Sequence, residues 1–353
     1  MKDPPRAPRE PPPSKGGSGL QQLRHPRLEH TATALPDGRV LVTGGSIPHA
    51  GRDPERAIYL NHVEVWSPGS DWREVTSLRE ARAAHTATLL ADGRVLLAGG
   101  KGPRANILSS VEIYDPATGR SEPAPPLRKA RYEHVAVTLA DGRVLVAGGA
   151  GDAGEVALAE VFEPVKGAWF PAGKTRIPRH GPEAACLPDG RVLLTGGVAM
   201  LRSTAAAEVW TGEKWEPAGR VRGSLVGHTM TVLADGRVML IGGEDDEVSD
   251  RLQVFNGDWR PGPRLPRPRA YHTATRLPDG GVLLLGGKTG GYDEELLSVM
   301  ETCYPDRVAE SGTLKAARAG HRALAVEGGV LVVGGENYHG EPLDTSELIP
   351  PRT

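Results

Sequence analysis

Six arginines hold the same place in a recurring phrase: Arg27, Arg82, Arg131, Arg179, Arg269 and Arg318. Three residues on, the phrase carries His30, His85, His134, His272 and His321, with Pro182 in that slot after Arg179. One further copy keeps His228 but has Leu225 in the arginine slot. A ring of guanidiniums could form an anion-binding mouth suited to a carboxylate or a sulfate. The same arginines could instead be structural. Later in the phrase stand Glu64, Glu112, Glu160, Glu208, Glu301 and Glu347, with Gln253 in the copy that has Leu225. Joint loss is what a buried ion pair permits, because removing one partner costs about 3–5 kcal/mol whereas replacing both can be neutral. Both readings stay open at this level.

A second set of candidates lies outside the repeat: His49, Arg52 and Tyr59 in one loop, Tyr292 in another, Tyr338 and His339 in a third. With the six arginines these are the candidate ligand-binding residues. No catalytic residue is identified. The repeated histidines are expected to satisfy a repeated backbone site, and the aspartates of the Asp-Gly pairs are turn residues. His49 and His339, with Asp53 and Glu336, have no spacing that fixes a metal site, and the acidic run Glu244 to Glu247 lacks an alternating calcium-ligand pattern. No metal and no cofactor is expected. Cys186 and Cys303 are too few for a disulfide framework or a zinc motif and read as small buried hydrophobes.

The elements that must position these groups follow from the repeat. Gly-Gly pairs start at 44, 99, 148, 196, 242, 286 and 334, a mean period of about 48 residues. Each copy reads as four strands. Strand a is His-Thr-Ala-Thr-like; strand b is a continuous apolar run such as Arg39-Val40-Leu41-Val42, the pattern of burial on both faces. Asp-Gly between them predicts a tight type I′ hairpin. Strand c is Glu-Val-aromatic, as in Val63-Glu64-Val65-Trp66, and strand d opens on Trp72, Trp169, Trp215 or Trp259 in four copies. A lone sheet of this size leaves both faces exposed, and radial stacking into a closed ring buries them. The expected fold is all-β: a seven-bladed β-propeller with four antiparallel strands per blade.

This combination resembles the kelch repeat over about residues 18–353, in the form found in bacterial kelch-repeat proteins and in the kelch-like blades of galactose oxidase relatives. The resemblance implies the propeller fold and leaves function wide. It admits a non-catalytic binding propeller for a protein, a peptide, a glycan or a carboxylate ligand. The alternative is a carbohydrate-active enzyme, either a sugar-acid mutarotase or a galactose-oxidase-like oxidase. The oxidases need a copper site of two tyrosines, two histidines and a cysteine crosslinked to one tyrosine, and the resemblance does not carry that set onto Cys303 and Tyr304.

The last copy reaches strand c at Ser346 to Ile349, so its strand d must come from elsewhere, and Gly19 to Leu23 fits that slot. The ring would close with an N-terminal strand on the outside of blade seven. Residues 1–17, with six prolines, read as a disordered or polyproline tail. The b→c and d→a loops share one face. Blade one's b→c loop is the longest, and ring closure makes blades six, seven and one neighbours, so a polar pocket is expected there. A net charge of −2 offers no footprint for nucleic acid or an anionic membrane. No signal peptide or membrane span is read, which suggests a cytoplasmic monomer, or a secreted one if a leader has been removed.

Overall fold

A computed structural model describes residues 20–49, 53–223, 225–290 and 295–351. The expected tail lies outside them. Seven antiparallel sheets follow one another along the chain. Blade one is Thr31–Ala34, Val40–Thr43, His62–Trp66 and Arg73–Ser77, hydrogen-bonded in that order. Blades two to six repeat the meander; blade three adds a short strand, Gly154–Glu155, beside its second. Blade seven is Arg322–Val326, Gly329–Val333 and Thr345–Ile349, completed by Leu20–Gln22, which pairs antiparallel with the last of these. Leu23 extends the seam by donating its N–H to the Asp344 carbonyl at 2.7 Å. The expected closure is the observed one; Gly19 lies outside the described residues.

The first strands of neighbouring blades pack side by side around the ring and enclose an axial channel. The cores lie between blades, not within them. One unites Leu35, Leu41 and Val63 of blade one with Val95, Leu97 and Tyr114 of blade two. Another unites Leu23, Leu331 and Val333 with Val40, Val42, Trp66 and Trp72 across the closure. Each strand b is therefore covered on both faces, and Val40, Leu41 and Val42 are fully buried.

Two sets of hydrogen bonds clamp blade to blade. On the outside, the strand-d indoles reach back: Trp72 Nε1 donates to Ser346 Oγ at 2.7 Å, Trp215 Nε1 to the Ala172 carbonyl at 3.0 Å and Trp259 Nε1 to the Ala218 carbonyl at 3.0 Å. On the inside, the Gly-Gly pairs let the next blade approach. A Cβ at Gly44 would stand 2.3 Å from the Arg82 carbonyl oxygen, and at Gly45 the N–H donates to that same oxygen at 2.8 Å.

The Asp-Gly hairpins differ from expectation. Gly38 has φ 84°, but Asp37 does not have a positive φ. Gly38 N–H donates to the Leu35 carbonyl, and Leu35 N–H to the Arg39 carbonyl. This is a three-residue loop, a type I turn closed by a left-handed glycine, not type I′. Pro36 explains it in this copy: its ring holds φ near −65°, which a type I turn accepts at that position. Asp37 stabilises the loop by accepting from Arg39 N–H at 3.1 Å and Arg39 Nε at 2.8 Å.

Leu23 is buried in the seam between blades seven and one. Leu23→Ala should lower unfolding stability by about 2–4 kcal/mol in urea titration. A change as small as that of an exposed substitution would mean that the N-terminal strand does not hold the ring closed.

Candidate functional site

All six repeated arginines are fully buried. Each reaches the first glycine of its blade's pair, Arg82 Nη1 to the Gly99 carbonyl at 2.7 Å for example. In five blades Nη2 meets the strand-c glutamate: Arg82 with Glu112 at 2.8 Å, Arg131 with Glu160 at 3.1 Å, Arg179 with Glu208 at 2.5 Å, Arg269 with Glu301 at 2.6 Å, and Arg27 with Glu64. Arg318 binds Thr345 Oγ1 at 3.1 Å instead, with Glu347 within electrostatic reach. The second carboxylate oxygen accepts the first amide of the d→a connection, as Glu64 does from Arg24 N–H at 2.7 Å and Glu208 from Arg176 N–H at 2.6 Å. In blade five, Leu225 fills the arginine slot, and Gln253 accepts from Arg222 N–H at 2.7 Å while donating to the Arg222 carbonyl at 3.1 Å. Gln253 thus keeps the loop contact without a charge that would lack a partner. As a ligand-binding mouth, the ring of six arginines is corrected here: each guanidinium is consumed by its own blade.

The repeated histidines face backwards. His134 Nε2 meets Thr86 Oγ1 of the preceding blade at 2.9 Å, and His272 meets Thr229 at 3.0 Å, His321 meets Thr273 at 2.9 Å, and His85 meets Thr31 at 3.1 Å. Burial holds them neutral, with His134, His228 and His321 pushed down to about 3. The partner slot is the residue after each histidine. It departs from threonine in three blades: Val135, Glu183 and Arg322. Val135 faces the blade whose histidine slot holds Pro182, so that donor and acceptor are lost together.

The residue before the histidine slot is left-handed in all seven blades: Glu29, Ala84, Glu133, Gly181, Gly227, Tyr271 and Gly320, with φ from 49° to 65°. These residues form a collar around the channel mouth. Ala84 N–H donates to the Glu29 carbonyl at 2.9 Å, Glu133 to Ala84 at 3.0 Å and Gly181 to Glu133 at 2.8 Å; Tyr271 donates to Gly227 at 2.7 Å and Gly320 to Tyr271 at 2.9 Å. Four of the seven lack glycine's freedom in this conformation, so the collar is over-determined by its hydrogen bonds. Polar side chains crown it. Lys101 Nζ lies 3.8 Å from the centre of the Tyr132 ring. His180 lies 3.9 Å from Glu133 and 3.8 Å from Glu155. Tyr271 Oη donates to Glu244 Oε1 at 2.8 Å, and Lys288 lies 3.4 Å from Glu244.

The loop candidates are dispersed. Tyr59, on the short strand Ile58–Tyr59, reaches the mouth beside Glu29, which with burial pushes its hydroxyl up. His49 is half-buried at the start of that loop. Tyr338 and His339 stand exposed at a loop tip, edge to face at 6.1 Å. Arg52 and Tyr292 lie outside the described residues. The long loop of blade one also turns away from the expected neighbours: its single turn Pro54–Arg56 packs against Pro103–Ala105 of blade two. The polar pocket expected at blades six, seven and one draws on residues 50–52 and 291–294, which lie outside the described residues.

Two charged side chains that the loop argument missed, Glu183 of blade four and Arg322 of blade seven, stand on innermost strands within electrostatic reach of one another. Arg322 is exposed, and its Nε donates to the His30 carbonyl at 2.9 Å. Its charge is felt by His30, His85, Glu29 and Glu183, from blades one, two and four, which only a group near the axis can reach. Glu183 is half-buried, and desolvation raises its carboxyl to about 7 against the opposing pull of Arg322. A carboxyl raised by desolvation, on an innermost strand and within the field of an arginine, is a candidate site residue. The sequence signal was available: these are the two charged residues at a position that is otherwise Thr31, Thr86, Val135, Thr229 and Thr273.

The fold is a seven-bladed β-propeller whose first strands ring the axis. Residues 82–128 match the family model of the kelch motif. The fold is similar to that of a fungal alcohol oxidase of the AA5 family solved in complex with copper, at TM-score 0.73 and 15% identity, covering 94% of this chain and 76% of that one. It is also similar to YjhT, at TM-score 0.61 and 17% identity, covering 84% of this chain and all of that one. A search of curated proteins found no match.

Two measurements check the electrostatics. Arg82→Leu and Glu112→Gln should each destabilise strongly, and the double variant should lose at least ~1 kcal/mol less than their sum; additivity would deny the pair. For Glu183, the unfolded chain ionises near the ordinary glutamate value while the folded carboxyl keeps its proton up to about 7. Its contribution is full below the unfolded value and is lost as pH rises through that window. Glu183→Gln should therefore match the wild type at pH 4.5 and exceed it by roughly 1–3 kcal/mol at pH 8.

Proposed function

We propose that this protein is a binding propeller that takes a small carboxylate, free or at the end of a peptide, at the mouth of its axial channel. The observation that carries the reading is Arg322, exposed on the axis with its Nε spent on the His30 carbonyl. Its guanidinium is exposed and has further N–H groups that suit the two oxygens of a carboxylate. Protonated Glu183 would donate a hydrogen bond to the same ligand, and ionised Glu183 would compete for Arg322. The collar side chains Glu29, Lys101, Glu133 and His180 then select what surrounds the carboxylate.

A thermal-shift and calorimetric screen of sugar acids and small dicarboxylates tests this. Binding should be tighter at pH 6 than at pH 8, and Arg322→Ala should remove it while Arg82 stays paired. Binding that survives Arg322→Ala would place the ligand elsewhere.

The raised Glu183 carboxyl supports a second reading, a sugar-acid mutarotase in which Glu183 moves the proton that opens and closes the ring. Positioned acid–base groups of this kind contribute about 10²–10⁴-fold, so Glu183→Gln should slow anomer equilibration, followed by NMR, by that order. Copper-oxidase chemistry does not fit these residues. Cys303 is buried between blades five and six with its thiol pushed up to about 12, and Tyr304 Oη donates to Asp279 Oδ2 at 2.8 Å on the hairpin face.

A further inference from the structure

On the outer strands of blade one three side chains converge that neither the repeat nor the channel requires. His62 opens strand c, Glu74 lies on strand d, and His25 lies on the segment joining the closing strand Leu20–Gln22 to blade one. One ligand atom from each lies within 4.8 Å of the other two. His25 Nε2 is 3.4 Å from Glu74 Oε2, and His62 Nδ1 is 3.0 Å from Glu74 Oε1. The imidazoles stack at 4.0 Å between centres and 24° between planes, which turns both nitrogens toward the carboxylate.

We propose that His25, His62 and Glu74 form a site for one divalent first-row transition ion, with zinc as the reference metal. Bonds of 2.0–2.1 Å to a tetrahedral ion set ligand atoms about 3.3 Å apart, close to the spacings already present. Two imidazoles and a carboxylate are a borderline donor set that suits zinc, copper(II) or nickel(II). The side chains are 30%, 30% and 40% exposed, which leaves a fourth position and an entry path open to water. The histidine that comes from the closing segment is also held in place: Arg24 N–H donates to Glu64, and the His25 carbonyl accepts from Arg27 Nε at 3.2 Å. The buried ion pair of blade one thus fixes the backbone on both sides of His25. Glu74 is kept ionised by its histidine neighbours, as a ligand must be. The metal would bridge the closing segment to the blade it closes against, so that occupancy reports on closure.

The test is calorimetric titration of the chelator-treated, untagged chain with ZnCl2 at pH 7.5, beside thermal unfolding with and without the metal. One equivalent should bind, and the melting temperature should rise with zinc. Glu74→Gln and His62→Ala should each weaken binding tenfold or more and abolish the rise, whereas His339→Ala should change neither. At pH 5.5 protons should compete and weaken binding. Co2+ should give the visible absorption of a low-coordinate site. Absence of binding up to millimolar zinc, binding indifferent to Glu74→Gln and His62→Ala, or a melting temperature that those substitutions lower equally with and without zinc would overturn the proposal and leave a hydrogen-bonded cluster.

Discussion

The buried pairing of an arginine with the strand-c glutamate of its own blade is the constraint on which the rest of the molecule depends. One guanidinium ties together the end of strand b, the middle of strand c and the connection that enters strand a. The carboxylate then caps the amides of that connection. Without this module the d→a segment would have no fixed path, and the left-handed collar residue and the histidine after it would not meet the preceding blade. Blade five is the informative exception. Leu225 supplies apolar volume, Gln253 supplies the hydrogen bonds, and no unpaired charge is left inside. That solution avoids desolvating two ions, which is why an isolated exchange can coexist with charged pairs elsewhere in the ring.

Much of the fold was legible because a repeat multiplies weak evidence. The Gly-Gly period, the apolar strand b and the Glu-Val-aromatic phrase each specify little once, and together they specify seven sheets and the closing strand. The hairpin type was misread from Asp-Gly, since a proline in the preceding position at Pro36 and Pro278 favours a type I turn with the glycine alone left-handed. The arginine and glutamate slots were legible as correlated, but their burial was not, because spacing says nothing about solvent. The site was least legible. Attention to loop length pointed to blade one's insertion, whereas Glu183 and Arg322 lie inside regular strands. They are visible only as charges at a position where other blades have a small hydroxyl.

Glu183 and Arg322 also show where a symmetric scaffold departs from its own repeat. Thr31, Thr86, Thr229 and Thr273 use that position to bind the next blade's histidine, so replacing threonine there forfeits an inter-blade contact. Glu183 follows a blade contact made by Pro182 rather than by histidine, and Arg322 spends its Nε on the His30 backbone. Both charges are thus held by the ring at positions where the standard contact has been given up. The desolvation that raises the Glu183 carboxyl is the same effect that lowers stability as pH rises past it.

Closure by residues 20–22 against residues 345–349 has a further consequence for how the chain is made. The two partners are separated by nearly the whole sequence; Ser346 and Gln21, joined by a hydrogen bond, are 325 positions apart. On the ribosome the strand Leu20–Gln22 emerges before all the blades and must wait until the last sheet has been synthesised. Throughout that interval the apolar flank of blade one, with Val40, Val42 and Trp66, has no partner. The growing chain is therefore an open arc with an adhesive leading edge, and it becomes a finished ring only when its two ends meet.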